Sequence, residues 1–400
     1  MTEPEAPLPP PRLGDRGLFP DLLATAYLNH AGVSPPSEPV RRAVSALLGA
    51  YARGGAQAVT AALALRGRLR EKLGRLLGAA PRDVALTGGT THGVQAIALS
   101  FPWRRGDRVL LLRGEFPANV TPWQRAAELF DLRTEMLPLG AFEASDEEGL
   151  AVVESALRGG ARLLAVSAVQ FRSGLAMPLA PLATLCARHG AEIFVDAVQA
   201  LGAVPIDPGA LGLDYLAGGA HKWLMGAEGA GFLWVNPGRV AALRPAQAGW
   251  LSHEDPVSFL TDGPGHLRYD RPIRREASLF EAGSASALSQ AALEASLDLL
   301  LALGPAAIHA HVNAYLDRLE PELRERGFRT LRAREPARRS GILSCEPPPG
   351  SDPRRLREAL AAKGVAVAIP DGAVRFAPHW PNEAGRELPA VLAALEAALP

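Results

Sequence analysis

Four hundred residues exceed what one hydrophobic core usually serves, so two domains are expected, one of them large. Lys plus Arg and Asp plus Glu both number 42, so formal charge is zero and there is no basic field to draw nucleic acid or an anionic membrane. No run of about 18 apolar residues occurs, which argues against a membrane span, and Cys186 and Cys345 have no CxxC partner that would suggest a zinc site or a disulfide framework, so a cytoplasmic enzyme is expected.

The opening MTEPEAPLPPPRLGDRG is proline-rich and lacks the charged lead and apolar stretch of a secretion signal; residues 1–25 read as a mobile arm. From about residue 40 to 260, short apolar runs alternate with helical patterns. VALTGG (84–89), RVLLLRGEF (108–116), RLLAVSAVQF (162–171), EIFVDAVQALG (192–202), DYLAGGA (214–220) and GFLWV (231–235) are predicted as strands or strand ends. Between several of them HGVQAIALSF and LAPLATLCARHG read as helices, the second stopping at Gly190. This alternation predicts an α/β unit over 26–285, a mostly parallel sheet whose ligands gather at the carboxyl ends of the strands. Its last segment, about 244–285, reads as a loop-rich connection in which His253 and His266 are solvated or structural. Over 286–400, two helical patterns, the short strands GILSCEPP, VAVAI and AVRFAP, and a final helix ELPAVLAALEAALP predict a smaller α+β unit.

Three features at the predicted strand ends carry chemistry. Thr87-Gly88-Gly89-Thr90-Thr91-His92-Gly93 follows a strand and opens a helix, so backbone N–H groups, a helix N-terminus and threonine hydroxyls can converge on a phosphate. A glycine-rich turn with a threonine cap would look the same. Asp196 ends the apolar run IFV, where a carboxylate is costly unless it caps a turn or meets a cation such as a protonated pyridine nitrogen. Gln199, three residues on, could then donate to the phenolic oxygen of the same ring. Lys222 is the third feature. Among 42 basic residues only Lys72, Lys222 and Lys363 are lysine, so arginine serves wherever a cation alone is needed, and imine formation is a task arginine cannot perform. Lys72 and Lys363 lie in amphipathic helical patterns, whereas Lys222 ends an apolar stretch before a glycine-rich turn.

Together these residues resemble the class V aminotransferases of fold type I, pyridoxal-phosphate (PLP) enzymes that include cysteine desulfurases, selenocysteine lyases, isopenicillin N epimerase-like proteins and kynureninase. The resemblance runs from YLNHAGVSPPSEPVRRAV to AVRFAPHWPNE, and its core is FVDAVQALGAVPIDPGALGLDYLAGGAHKWLMGAEGAGFLWV. It implies that Lys222 forms the Schiff base, Asp196 pairs with the ring nitrogen, Gln199 bonds the phenolic oxygen, and Thr90, Thr91 and His221 hold the phosphate. It also implies that Phe116 stacks on the ring where desulfurases place a histidine, and that Arg375 forks the substrate carboxylate. Ser284 matches a hydroxyl that reaches the partner subunit's phosphate, which implies a homodimer with shared sites. Three departures stand out. Gly219 replaces a phosphate-binding serine, Gln170 or Phe171 stands where an asparagine is frequent, and no cysteine lies between Ile369 and Val374, near where a desulfurase carries its nucleophile. The expected activity is transamination of an amino acid, the alternatives being a β-eliminating C–S lyase, an epimerase, or a silent PLP-binding protein.

Overall fold

The computed structural model describes residues 7–399, and the described residues form twelve strands in three sheets. In chain order these are β1 (Ala26–Tyr27), β2 (Val84–Thr87), β3 (Arg108–Arg113), β4 (Arg133–Pro138), β5 (Ala161–Ser167), β6 (Glu192–Asp196), β7 (Tyr215–Gly219), β8 (Gly231–Val235), β9 (Arg329–Thr330), β10 (Leu343–Glu346), β11 (Val365–Ala366) and β12 (Val374–Phe376). Seven make one sheet in the order β2-β8-β7-β6-β5-β3-β4. The neighbours from β7 to β4 are parallel, and β8 is antiparallel to both β7 and β2. The connection from Gly219 to Gly231 carries no helix, and a parallel neighbour needs a crossover of about a dozen residues or more, so the chain returns antiparallel.

Successive side chains of a strand point to opposite faces, so the central strands supply two cores at once. Leu110, Leu164, Val195 and Leu216 join the larger apolar cluster on one face, while Val109, Leu111, Leu163, Phe194 and Tyr215 join a second cluster on the other. This two-sided burial is why the strands read as unbroken apolar runs. The strands stop sooner than those runs do. β2 ends at Thr87, β5 at Ser167 and β6 at Asp196, and beyond these points the backbone turns away with the site residues on it.

The smaller sheet places β10 between β9 and β12, both antiparallel to it. A parallel pair joins β1 to β11, so the N-terminal segment is built into the C-terminal unit. Residues 1–6 of the expected mobile arm lie outside the described residues, and the rest of that expectation needs correction from Gly14 onward. Gly14 N–H donates to the Trp380 carbonyl (2.7 Å), Leu18 and Phe19 are buried, and the Phe19 ring meets Trp380 at 5.4 Å. The apolar pair LF outweighs the surrounding prolines, since two buried large side chains contribute about 3–6 kcal/mol relative to exposure.

The helix Ala287–Leu303, read from sequence as the start of the C-terminal unit at residue 286, packs on helices Glu38–Gly54 and Ala58–Leu77. Its Ser296 Oγ donates to the Leu224 carbonyl (2.6 Å), which ties it to the loop after β7. No single helix among the described residues is long and apolar enough to cross a membrane.

Candidate active site

A cavity of about 490 Å³ opens at the carboxyl edge of the large sheet, lined among others by Thr90, Thr91, Phe116, Asp196, His221 and Lys222. Six of the residues singled out from sequence therefore share one cavity, and Gln199, Ser284 and Arg375 do not line it.

The helix Thr90–Ser100 follows β2 after the two-residue turn Gly88-Gly89. Gly89 sits at φ 144°, a conformation that favours glycine, and so aims the helix N-terminus into the cavity. Thr87 Oγ1 donates to the Gly89 carbonyl (3.1 Å), which fixes the turn. Thr90 Oγ1 is buried without a hydrogen-bond partner, a hydroxyl placed for an anion. Gly219 stands directly beside it. A Cβ at 219 would lie 3.0 Å from Thr90 Oγ1 and 3.4 Å from the His221 ring, so the departure from serine leaves that space to the threonine. Burial, and then the Lys222 cation, lower the His221 pKa against the opposing Glu228, so at neutral pH its ring is neutral and able to donate to an anion.

Asp196 is almost wholly buried at the end of β6, and its Oδ1 accepts from the Val198 N–H (2.8 Å). Burial pushes its carboxyl up to about 7; the nearby Glu115 adds to the rise, and Val198 N–H and Lys222 oppose it. Burial also lowers the Lys222 amine, aided by Arg375 and opposed by Asp196. For both groups desolvation outweighs their mutual attraction. The result is an amine poised to act as a nucleophile and a carboxyl that gains most from an added cation. Lys222 Nζ lies 5.4 Å from the Phe116 ring centroid, and Phe116 meets Phe171 edge to face at 5.4 Å. An anion cup, a buried acid, an amine and a flat apolar wall suit the phosphate, ring nitrogen, aldehyde and ring face of PLP.

The remaining residues are placed differently. Gln199 Nε2 donates to the Ala31 carbonyl (3.0 Å) and its Oε1 accepts from Trp223 Nε1 (2.9 Å), leaving one N–H for any bond to a cofactor. Arg375, on β12, is buried; its Nη1 donates to the Phe171 carbonyl (2.9 Å) and its Nε has no partner. Burial brings it down to about 10, which leaves it cationic. Ser284 is exposed and away from the cavity within one chain. Cys186 and Cys345 are buried free thiols, each pushed up to about 12 by burial, and neither lines the cavity.

Sequence reasoning missed Glu115. It is buried, accepts from Ser167 N–H (2.8 Å), from the Ser167 hydroxyl and from Gln170 Nε2 (3.0 Å), and burial raises its pKa. Glu115 thereby holds the Gln170 amide, leaving Gln170 Oε1 buried and unpartnered. The only sequence signal was a carboxylate at the end of the apolar run RVLLLRGEF.

Comparison with known proteins follows this geometry. The aminotransferase class-V family profile matches residues 26–373. Isopenicillin N epimerase of Streptomyces clavuligerus is 31% identical over 303 residues, 74% of each chain. A cysteine desulfurase of Dickeya dadantii is 31% identical over 269 residues, 66% of this chain and 62% of the desulfurase. Among solved structures, a C-DES variant with glycine covalently linked to its PLP cofactor superposes with a TM-score of 0.86 at 22% identity, covering 96% of this chain and 99% of the other, a likeness of fold. The chain belongs to the class-V aminotransferase family of fold type I, and its cofactor is pyridoxal phosphate.

Proposed function

We propose that this chain acts on the α-carbon of an amino acid and that the reaction is transamination. When bound, PLP supplies an electron sink for the substrate's α-carbon. The residues divide the rest of the task. Thr90, Thr91 and His221 hold the phosphate, Asp196 faces the ring nitrogen, Gln199 offers its free N–H to the phenolic oxygen, and Phe116 covers the ring. Arg375 turns its guanidinium to the substrate carboxylate, and Lys222, once its amine is free, carries the proton to and from the α-carbon.

The observation that carries this reading is the apolar wall. Lys222 Nζ lies over the Phe116 ring, which meets Phe171 edge to face, so this wall offers no acid or base, and we take the Lys222 amine as the proton carrier. Transamination needs a single such carrier. Both thiols are buried elsewhere, which argues against sulfur relay. An epimerase is the second reading, favoured by the match to the Streptomyces clavuligerus enzyme.

The test is a panel of L- and D-amino acids given to the PLP-loaded protein with and without an α-keto acid acceptor. Transamination predicts sustained release of a new keto acid only with acceptor, and at most one equivalent per site without it. Sulfide, or pyruvate in excess of one equivalent per site without acceptor, would establish a lyase, and racemisation without keto acid an epimerase. The double variant Cys186→Ser, Cys345→Ser is expected to retain the wild-type activity, within about threefold, with some stability lost where buried thiols become hydroxyls. Loss of turnover in the folded, PLP-loaded variant would restore the desulfurase reading.

The exposed Ser284 supports a homodimer in which it completes the partner's phosphate site. Mixing inactive Lys222→Ala and Ser284→Trp subunits should then restore up to about a quarter of wild-type activity, the share of sites that random pairing leaves with both residues intact. A protein that stays monomeric while active would overturn this.

A further inference from the structure

Lys222 lies in a turn outside the sheet ladder, where buried carbonyls need partners from elsewhere. Three consecutive carbonyls there are gripped by residues beyond the large sheet. Ser34 N–H donates to the His221 carbonyl (2.8 Å), Ser34 Oγ donates to the Lys222 carbonyl (2.7 Å), and His379 Nε2 lies 2.9 Å from the Trp223 carbonyl. Ser34 belongs to the segment after β1, and His379 follows β12.

The partners settle where the protons sit. Trp380 N–H donates to His379 Nδ1 (2.7 Å), so Nδ1 is an acceptor and the ring proton is on Nε2, from which it donates to the Trp223 carbonyl. The Ser34 hydroxyl proton is used on the Lys222 carbonyl, so its oxygen accepts from His30 Nδ1 (2.7 Å). The chain of donation therefore runs from His30 through Ser34 to the backbone of Lys222. Burial holds both imidazoles well below the usual histidine range and so neutral, and their rings meet edge to face at 5.3 Å. On the other side the packing is tight as well, since a Cβ at Gly202 would lie 2.1 Å from the Trp223 carbonyl oxygen. Two residues after Trp223, Met225 adopts φ 52°, a strained conformation for a methionine that only a firmly held turn maintains.

We propose that His30, Ser34 and His379 are positioning residues that set where the Lys222 amine stands, and that they couple this setting to the segment carrying Arg375. Arg375 and His379 lie four residues apart on one segment, so the group that meets the substrate carboxylate and the group that grips the lysine turn move together. The proposal rests on the reading that Lys222 holds PLP.

The test uses paired variants of the PLP-loaded full chain: Ser34→Ala with Ser34→Thr, and His379→Ala with His379→Gln. Threonine keeps the hydroxyl, and glutamine keeps an N–H near the position of Nε2. Both alanine variants are expected to retain PLP on Lys222, checked by borohydride reduction and peptide mass. They should show kcat lowered about 10- to 100-fold with KM within about twofold, and a shift of about half a unit or more in the pH midpoint of the cofactor's absorbance change. The conservative partners should recover most of both. Folded, loaded alanine variants with wild-type kcat and midpoint, or a lowered melting temperature with an unmoved midpoint, would overturn the proposal. If one alanine variant does not fold, the other pair decides. Absence of label on Lys222 in the wild type would instead refute the site assignment.

Discussion

Replacing Lys222 with alanine is expected to lower turnover by about 10⁴-fold or more while leaving the protein folded and able to bind PLP through its phosphate. The side chain is not a structural support. Its amine packs over the Phe116 ring, and burial disfavours its charged form, so truncation removes a desolvated cation rather than a satisfied one. Borohydride should fix PLP on the peptide containing Lys222 in the wild type and on no lysine in the variant. The two other lysines make this a sharp test. Lys72 is paired with Asp298 (2.8 Å) and Glu294 (3.2 Å), and Lys363 caps a helix end, so a label on either would sink the assignment.

Asp196→Asn is the second large effect, and it acts in opposite directions on activity and on stability. With PLP bound, losing the carboxylate beside the ring nitrogen should lower kcat by about 10²–10³-fold, the scale of removing one preorganised electrostatic contact. In cofactor-free protein the same change is expected to stabilise. The Asp196 carboxyl stands at about 7 in the fold, against about 4 in an unfolded chain. Between those values the folded state holds a proton that the unfolded state has released. Stability therefore falls as pH rises from about 4 to about 7, by about 1.4 kcal/mol per unit of pKa difference and a few kcal/mol in total. Asparagine cannot ionise, so the variant lacks this slope. Urea unfolding of both cofactor-free proteins at pH 4.5 and pH 8 should show the asparagine variant gaining on the wild type at the higher pH. A difference between the two proteins that does not change with pH would show that the Asp196 carboxyl is not raised.

The parts of this molecule legible in its sequence are those whose signals are local. The strands β2, β3, β5, β6, β7 and β8 announced themselves because both faces are buried, and Lys222 because arginine had replaced nearly every other lysine. β4 escaped notice since its RTEMLP lies at the sheet edge, where polar side chains are tolerated. Glu115 was passed over because one carboxylate after an apolar run says nothing of Ser167 and Gln170, more than fifty residues away, whose donors hold it. The docking of Phe19 on Trp380 depends on a contact spanning nearly the whole chain, which composition obscures behind prolines. Gln199 was noticed for its spacing from Asp196, yet its commitments to Ala31 and Trp223 are visible only in three dimensions.

The pairing of β1 with β11 bears on how the protein is made. Ala26 and Val365 are far apart along the chain, and their ladder cannot form until everything between them has been synthesised. At about 5–20 residues per second, a ribosome needs tens of seconds to reach the second strand after the first. During that interval all seven strands of the large sheet have been made, while Ser34 and His379 cannot yet close on the lysine turn together. The newborn protein thus passes through a state with the strands of its large sheet made and the Lys222 turn unsecured. Chaperones would meet it there with the apolar residues Leu18, Phe19 and Leu28 still uncovered, until the segment carrying β11 and β12 emerges to meet the one carrying β1.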